Sequence, residues 1–304
     1  MTIKTIFSLL KETFKEWQED KAPTLAAALA YYTIFSLAPL LIILIAIAGL
    51  AFGQEAAQGL LVGQLQSLVG RGGAETIQDL VANASHPQSG IVATLIGIAT
   101  LLWGASNVFT NLKEALNMIW NATPPPNQGA FNFLRDRLLS FAMILSIGFL
   151  LLVSLVVSSV LAALSQWLNG LLHVPVGVWQ LIDFGISFSV VTLLFALIYK
   201  FLPDIKLDWN DVWIGAAITS VLFTIGKSLI GLYLGNSSIA SAYGAAGSFV
   251  VVLLWINFSA QILFLGAEFT QVWAKRYGSL TKSQRTTPLN GPETEAPLSQ
   301  HRKN

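Results

Sequence analysis

Six apolar runs dominate this chain, and their length suits lipid better than a water-soluble core. They cover residues 25–52, 91–111, 138–164, 181–202, 212–234 and 246–272. A helix that crosses a hydrocarbon core needs about 20 residues, and each run is long enough. Lipid offers no hydrogen bonds, so the backbone must satisfy itself within each run, which predicts helices. The chain is 11% charged, whereas a soluble domain carries about 25%. Its 304 residues leave no stretch long enough for a second, soluble domain. The expected architecture is all-α: a six-span membrane domain over 1–277 and a disordered cytoplasmic tail over 278–304.

The charges orient the spans. Of 17 Lys and Arg residues, 15 fall on one side of the runs. Lys4, Lys11, Lys15 and Lys21 precede the first span. Lys113, Arg135 and Arg137 follow the second, and Lys200 and Lys206 follow the fourth. Lys275, Arg276, Lys282, Arg285, Arg302 and Lys303 follow the sixth. The opposite loops hold only Arg71, and Lys227 sits inside a span. Cationic loops resist translocation, so the crowded side is cytoplasmic and both termini are expected there. The compartment this describes is a bacterial inner membrane. The start of the chain does not read as a cleaved signal peptide, because the run behind it exceeds an h-region of about 7–15 residues.

Ile3, Ile6, Phe7, Leu10, Phe14 and Trp17 recur at helical spacing, with lysines and glutamates on the other face. This predicts an amphipathic helix, lying on the membrane surface or packed on the protein's own cytoplasmic loops. Pro39 interrupts the first span and marks a kink, either a hinge or a static packing bend. In the outer loop 53–90, two apolar stripes flank Gly72 and Gly73, which predicts two short helices. Gly231 and Gly235, and Ser154 and Ser158, are spaced to let neighbouring helices approach.

Polar groups inside spans carry the functional signal, because each costs free energy without a partner. Asn257, Gln261 and Glu268 share one face of the sixth span. Asn107, Asn111 and Glu114 share one face of the second, and Tyr32 and Ser36 are a turn apart in the first. Span direction puts all three sets in the cytoplasmic half, where they line a polar cavity or lock helices together. Lys227 lies in the outer half, with Asp183 as a candidate partner within snorkelling reach. Asp204, Asp208 and Asp211 invite a metal reading, but helix capping and dipole stabilisation account for them better.

Several chemistries are excluded. Cysteine is absent, which removes disulfides and thiolate sites. His86, His173 and His301 lack ligand spacing. No phosphate-cradling loop is present, so neither an ATP site nor any other cofactor is expected. No basic groove with interleaved aromatics offers itself to nucleic acid.

Four stretches carry a family resemblance: ALAYYTIFSLAPLL at 28–41, LWGASNVFTNLKEALNMIW at 102–120, YKFLPD at 199–204 and YGAAGSFVVVLLWINFSAQILFLGAE at 243–268. Together they resemble the YihY/BrkB family of bacterial inner-membrane proteins over roughly 5–277. The resemblance implies six-helix multipass proteins without a settled activity. The family was once labelled ribonuclease BN, and one branch carries a virulence label. Handling of envelope lipids has been suggested for it. It offers no catalytic residues. The expected function is a transporter or envelope-lipid-handling protein acting on an anionic lipid or small solute in the bilayer. A non-transporting scaffold and an intramembrane enzyme are the alternatives.

Overall fold

The computed structural model describes residues 3–84, 91–122, 176–236 and 246–280, with isolated helical positions between 138 and 150. Among the described residues there are seven long helices and no strand: α1 (Ile3–Glu19), α2 (Ala22–Phe52), α3 (Gln54–Ala84), α4 (Ile91–Ile119), α5 (Val176–Phe201), α6 (Trp209–Asn236) and α7 (Gly247–Arg276). Four are long and apolar enough to cross a membrane: Ala22–Ala46, Gly177–Phe201, Trp209–Tyr233 and Gly247–Arg276. They match the first, fourth, fifth and sixth expected spans. The second expected span forms the continuous helix α4, which is not among those four. The third, 138–164, lies almost wholly outside the described residues, as do Ser154, Ser158 and the tail beyond residue 280.

The outer segment differs from the expectation of two short helices. It is one 31-residue helix, α3, running straight through Gly72 and Gly73. Glycine weakens a helix by about 1 kcal/mol relative to alanine, but packing can override that preference. Here Ala74 and Ile77 are buried, and Thr76 donates a 2.5 Å hydrogen bond to Ser248 on α7. The glycines thus lie where α3 is held against its neighbours.

Helix α7 is the hub, packed against α6, α2, α1, α3 and α4. Its contact with α6 is the tightest. A Cβ at Gly215 on α6 would run into Thr270, and one at Gly266 on α7 would run into Thr219. Each helix thus offers a glycine to the other's threonine, four residues from its own. Small residues of this kind let helices approach where lipid supplies no hydrophobic drive. Gly231 does not do this work: among the described residues no atom lies within 4 Å of a Cβ built there. Pro39 on α2 packs against Gly104 on α4, where a Cβ would come 3.0 Å from the proline ring.

The end of α1, the start of α2, the ends of α4, α5 and α7, and the start of α6 all meet at one end of the bundle. Ala22, Ala26, Leu116, Ile119, Tyr199 and Ala267 form one core cluster there. A smaller cluster of Ile34, Leu41, Ile77 and Val252 lies farther along. The helix ends rich in cations therefore share one face of the molecule, as the charge asymmetry requires.

Candidate functional site

The site begins with the way α1 turns into α2. Asp20 extends α1 by one residue, its N–H bonded to Glu16 O at 2.8 Å. Lys21 then takes a left-handed conformation, φ 53°, and Pro23 sits in the first turn of α2. This reversal lays α1 across the end of α7. Leu9 and Thr13 are buried, and Trp17 packs on the main cluster. Arg276 ties the helix down, pairing with Glu12 at 2.6 Å and donating to Ser8 Oγ at 2.7 Å. Phe7, Leu10 and Phe14 remain exposed. One face of α1 is docked on the protein, and the other presents an apolar stripe.

The docked face covers Glu268. Its side chain is fully buried, and neither carboxylate oxygen has a hydrogen-bond partner among the described residues. A second carboxyl, Asp20, lies within hydrogen-bonding reach of it. Glu16 and Lys275 also act on Glu268 electrostatically. Asp20 is held above its ordinary pKa of 3.8, chiefly by desolvation and then by the negative charge of Glu16. Buried atoms without partners concentrate here: Thr13 Oγ1, Trp17 Nε1, Asp20 Oδ2 and Gln271 Oε1 join the two Glu268 oxygens.

Around this pair, α7 is clamped from several sides. Gln271 Nε2 donates to Ile119 O at the end of α4, at 2.6 Å. Trp120 Nε1 donates to Ala267 O at 3.2 Å. Tyr199 on α5 donates to Leu263 O at 2.8 Å and lies 3.1 Å from Thr219 Oγ1 on α6. Two backbone carbonyls of α7, one turn apart, thus accept side-chain bonds from two other elements.

The residues singled out from sequence spread more widely. Ser36 is buried, Tyr32 and Glu114 are exposed, and Asn107, Asn111, Asn257 and Gln261 are partly buried. Asn111 Nδ2 donates to Asn107 O at 2.8 Å, and Gln261 Nε2 donates to Asn257 Oδ1 at 2.7 Å. Both bonds stay within their own helix. Lys227 and Asp183 are both exposed. Among the described residues no three His, Cys, Asp or Glu side chains form a metal group. Asp204 is held by Lys113 at 3.0 Å and by Asn117, while Asp211 accepts from Ser279 N at 2.7 Å.

Asp20, Gln271, Trp120 and Tyr199 escaped the sequence reading. Asp20 lies outside the spans, so its depth gave no signal. The other three became visible only through the partners they reach. A separate cavity of about 170 Å³ lies between α2 and α3, lined by Leu41, Ile45, Leu65, Ile77, Gln58 and Gln78. It is about 30 Å along α2 from Asp20, so it is not part of the buried carboxyl site.

Comparisons agree with this membrane architecture. The ribonuclease-like protein YfkH of Bacillus subtilis is 24% identical over 88% of this chain and 96% of its own length. The UPF0761 membrane protein MS0032 of Mannheimia succiniciproducens is 26% identical over 89% of this chain and 90% of its own. A UPF0761 membrane protein of Pseudomonas aeruginosa is 29% identical over 84% of this chain and 62% of its own. No solved structure matches. Residues 13–289 match the virulence factor BrkB family, and the chain belongs to that family of membrane proteins.

Proposed function

We propose that this protein moves or handles an anionic envelope lipid or small solute across a bacterial inner membrane, with both termini in the cytoplasm. The observation that carries the reading is Glu268, fully buried in an apolar helix with no donor to either oxygen among the described residues. An ionisable group so placed is expensive, and it persists where ions, protons or substrates pass. Asn257 and Gln261 continue its face toward the middle of α7, and Lys227 is positioned to meet an anionic headgroup at the far side. Movement would draw on a gradient or a partner, since the chain has no phosphate-binding loop.

The test is lipid movement in vesicles. Purified protein is reconstituted with a fluorescent phosphatidylglycerol, and its transfer between leaflets is followed by chemical quenching from outside. Wild type is expected to exceed protein-free vesicles, and Glu268→Gln to lose most of that gain while keeping its helical spectrum. Transfer no faster than in protein-free vesicles would reject movement of this lipid.

A scaffold reading is favoured by a different observation, the side-chain clamps from Tyr199, Trp120 and Gln271 onto α7 and its neighbours. It predicts no lipid movement together with stoichiometric co-purification of a partner. We read the chain as a non-enzyme. The ribonuclease-like name belongs to the Bacillus relative.

A further inference from the structure

Two carboxyl groups meet where α1 crosses the end of α7, and one of them is wholly out of water. Among the described residues no group donates to Glu268 Oε1 or Oε2 or to Asp20 Oδ2, all of them buried. The groups nearest by helical geometry do not supply one in this arrangement: Thr13 lies seven residues before Asp20, and Gln271 lies three after Glu268. Thr13 and Gln271 are themselves 3% and 1% exposed, each with an unpartnered oxygen. Two carboxylates in contact cannot both ionise without strong repulsion. A single proton removes the conflict, since the protonated carboxyl then donates its O–H to the other's oxygen.

We propose that Asp20 and Glu268 bind one proton between them, and that this proton latches α1 onto α7. The proton comes from the aqueous phase at the end of the bundle where α1 lies. On its release two anions face each other, and α1 lifts from the covered face. The charged groups acting on the pair are Glu16 and Glu19 from α1 and Lys275 from α7. Among the described residues no charge of α2, α4 or α6 is among those acting on the pair: Lys113 on α4 pairs with Asp204, and Asp211 on α6 accepts from Ser279 N. Glu16 and Glu19 oppose ionisation of Asp20, while Lys275 favours it. Arg276, bonded to Glu12 and Ser8, holds the rest of α1 and makes the latch a local release. Burial and the negative charge of Glu16 hold the Asp20 carboxyl above its ordinary range, in the direction the shared proton requires.

The latch shares Glu268 with the transport reading but not its test, because no lipid movement is measured. The chain has no cysteine, so spin labels can be placed cleanly at Lys11→Cys and Lys206→Cys in full-length protein held in phosphatidylcholine–phosphatidylglycerol nanodiscs. Label-to-label distances are followed as pH is raised. The ratio of released to docked protein is expected to rise about tenfold per pH unit around the midpoint, as one-proton linkage requires. Glu268→Gln and Asp20→Asn, each of which removes one of the facing charges, should stay docked throughout. Infrared spectra should show a protonated-carboxyl stretch in wild type that disappears on Glu268→Gln. The proposal is overturned by distances independent of pH in wild type, or by a pH response that survives in the Asp20→Asn/Glu268→Gln double variant. A response to sodium or magnesium ions at fixed pH, with no carboxyl stretch, also overturns it and makes the pair a metal-cation site.

Discussion

At Gly266 a side chain would occupy the space of Thr219 and the Tyr199 hydroxyl. Gly266→Ala is therefore expected to destabilise by about 1–3 kcal/mol, the usual range for overpacking. Gly231→Ala, in open space, should be neutral or slightly stabilising, because alanine is the better helix former. Thermal unfolding in detergent, followed by circular dichroism, separates the two. Small-residue spacing marked Gly231 and Gly235 in the sequence, but spacing does not say which face meets a neighbour. Tyr199→Phe should cost about 0.6–1.7 kcal/mol, the range for interhelical hydrogen bonds in membranes. It removes the donor to Leu263 O while leaving the ring packed beside Trp120. Asp20 adds a pH dependence. Its pKa in the folded protein lies above 3.8, so the folded protein binds this proton more readily than the unfolded chain does. Stability from it is fully present below the ordinary carboxylate range and falls as pH rises through the raised value. Asp20→Asn should flatten that decline in a melting-temperature profile against pH.

Among the elements, α1 joins two expectations that competed in the sequence. Its periodicity announced an amphipathic helix but could not say whether lipid or protein would cover the apolar side. In the structure Leu9, Thr13 and Trp17 face the protein, and Phe7, Leu10 and Phe14 do not. The pair between Arg276 and Glu12 is about a third exposed at both ends, so solvent screening limits its value to about 0.2–1 kcal/mol. Arg276→Ala should raise hydrogen exchange along 3–19 modestly, and the difference from wild type should shrink in high salt. Helix α3 shows the reverse lesson. Gly72 and Gly73 are a reasonable local stop signal, yet contacts with α7 and α2 carry the helix across them. Local propensity amounts to about 1 kcal/mol per glycine, which a few buried side chains outweigh.

For the whole molecule, the cation asymmetry makes a prediction independent of packing. Single cysteines at Lys206 and Gln58, read with a membrane-impermeant maleimide, should label from opposite sides. Lys206→Cys is expected to react only when the cytoplasmic face is open, and Gln58→Cys only from outside. Labelling of both from one side would undo the orientation. The helical class, four membrane-length helices and the shared end of the cation-rich segments were all legible in the chain. Apolar length and charge bias are properties of segments, and the bilayer acts on segments. The pairing of Glu268 with Asp20, the clamps from Tyr199 and Trp120, and the Gly–Thr exchange between α6 and α7 were decided only by the tertiary structure. Each joins side chains from different helices, at a depth and rotation that no single segment encodes. Periodicity could show that Glu268 sits on a polar stripe, but only packing could bring a second carboxyl to it instead of a lysine.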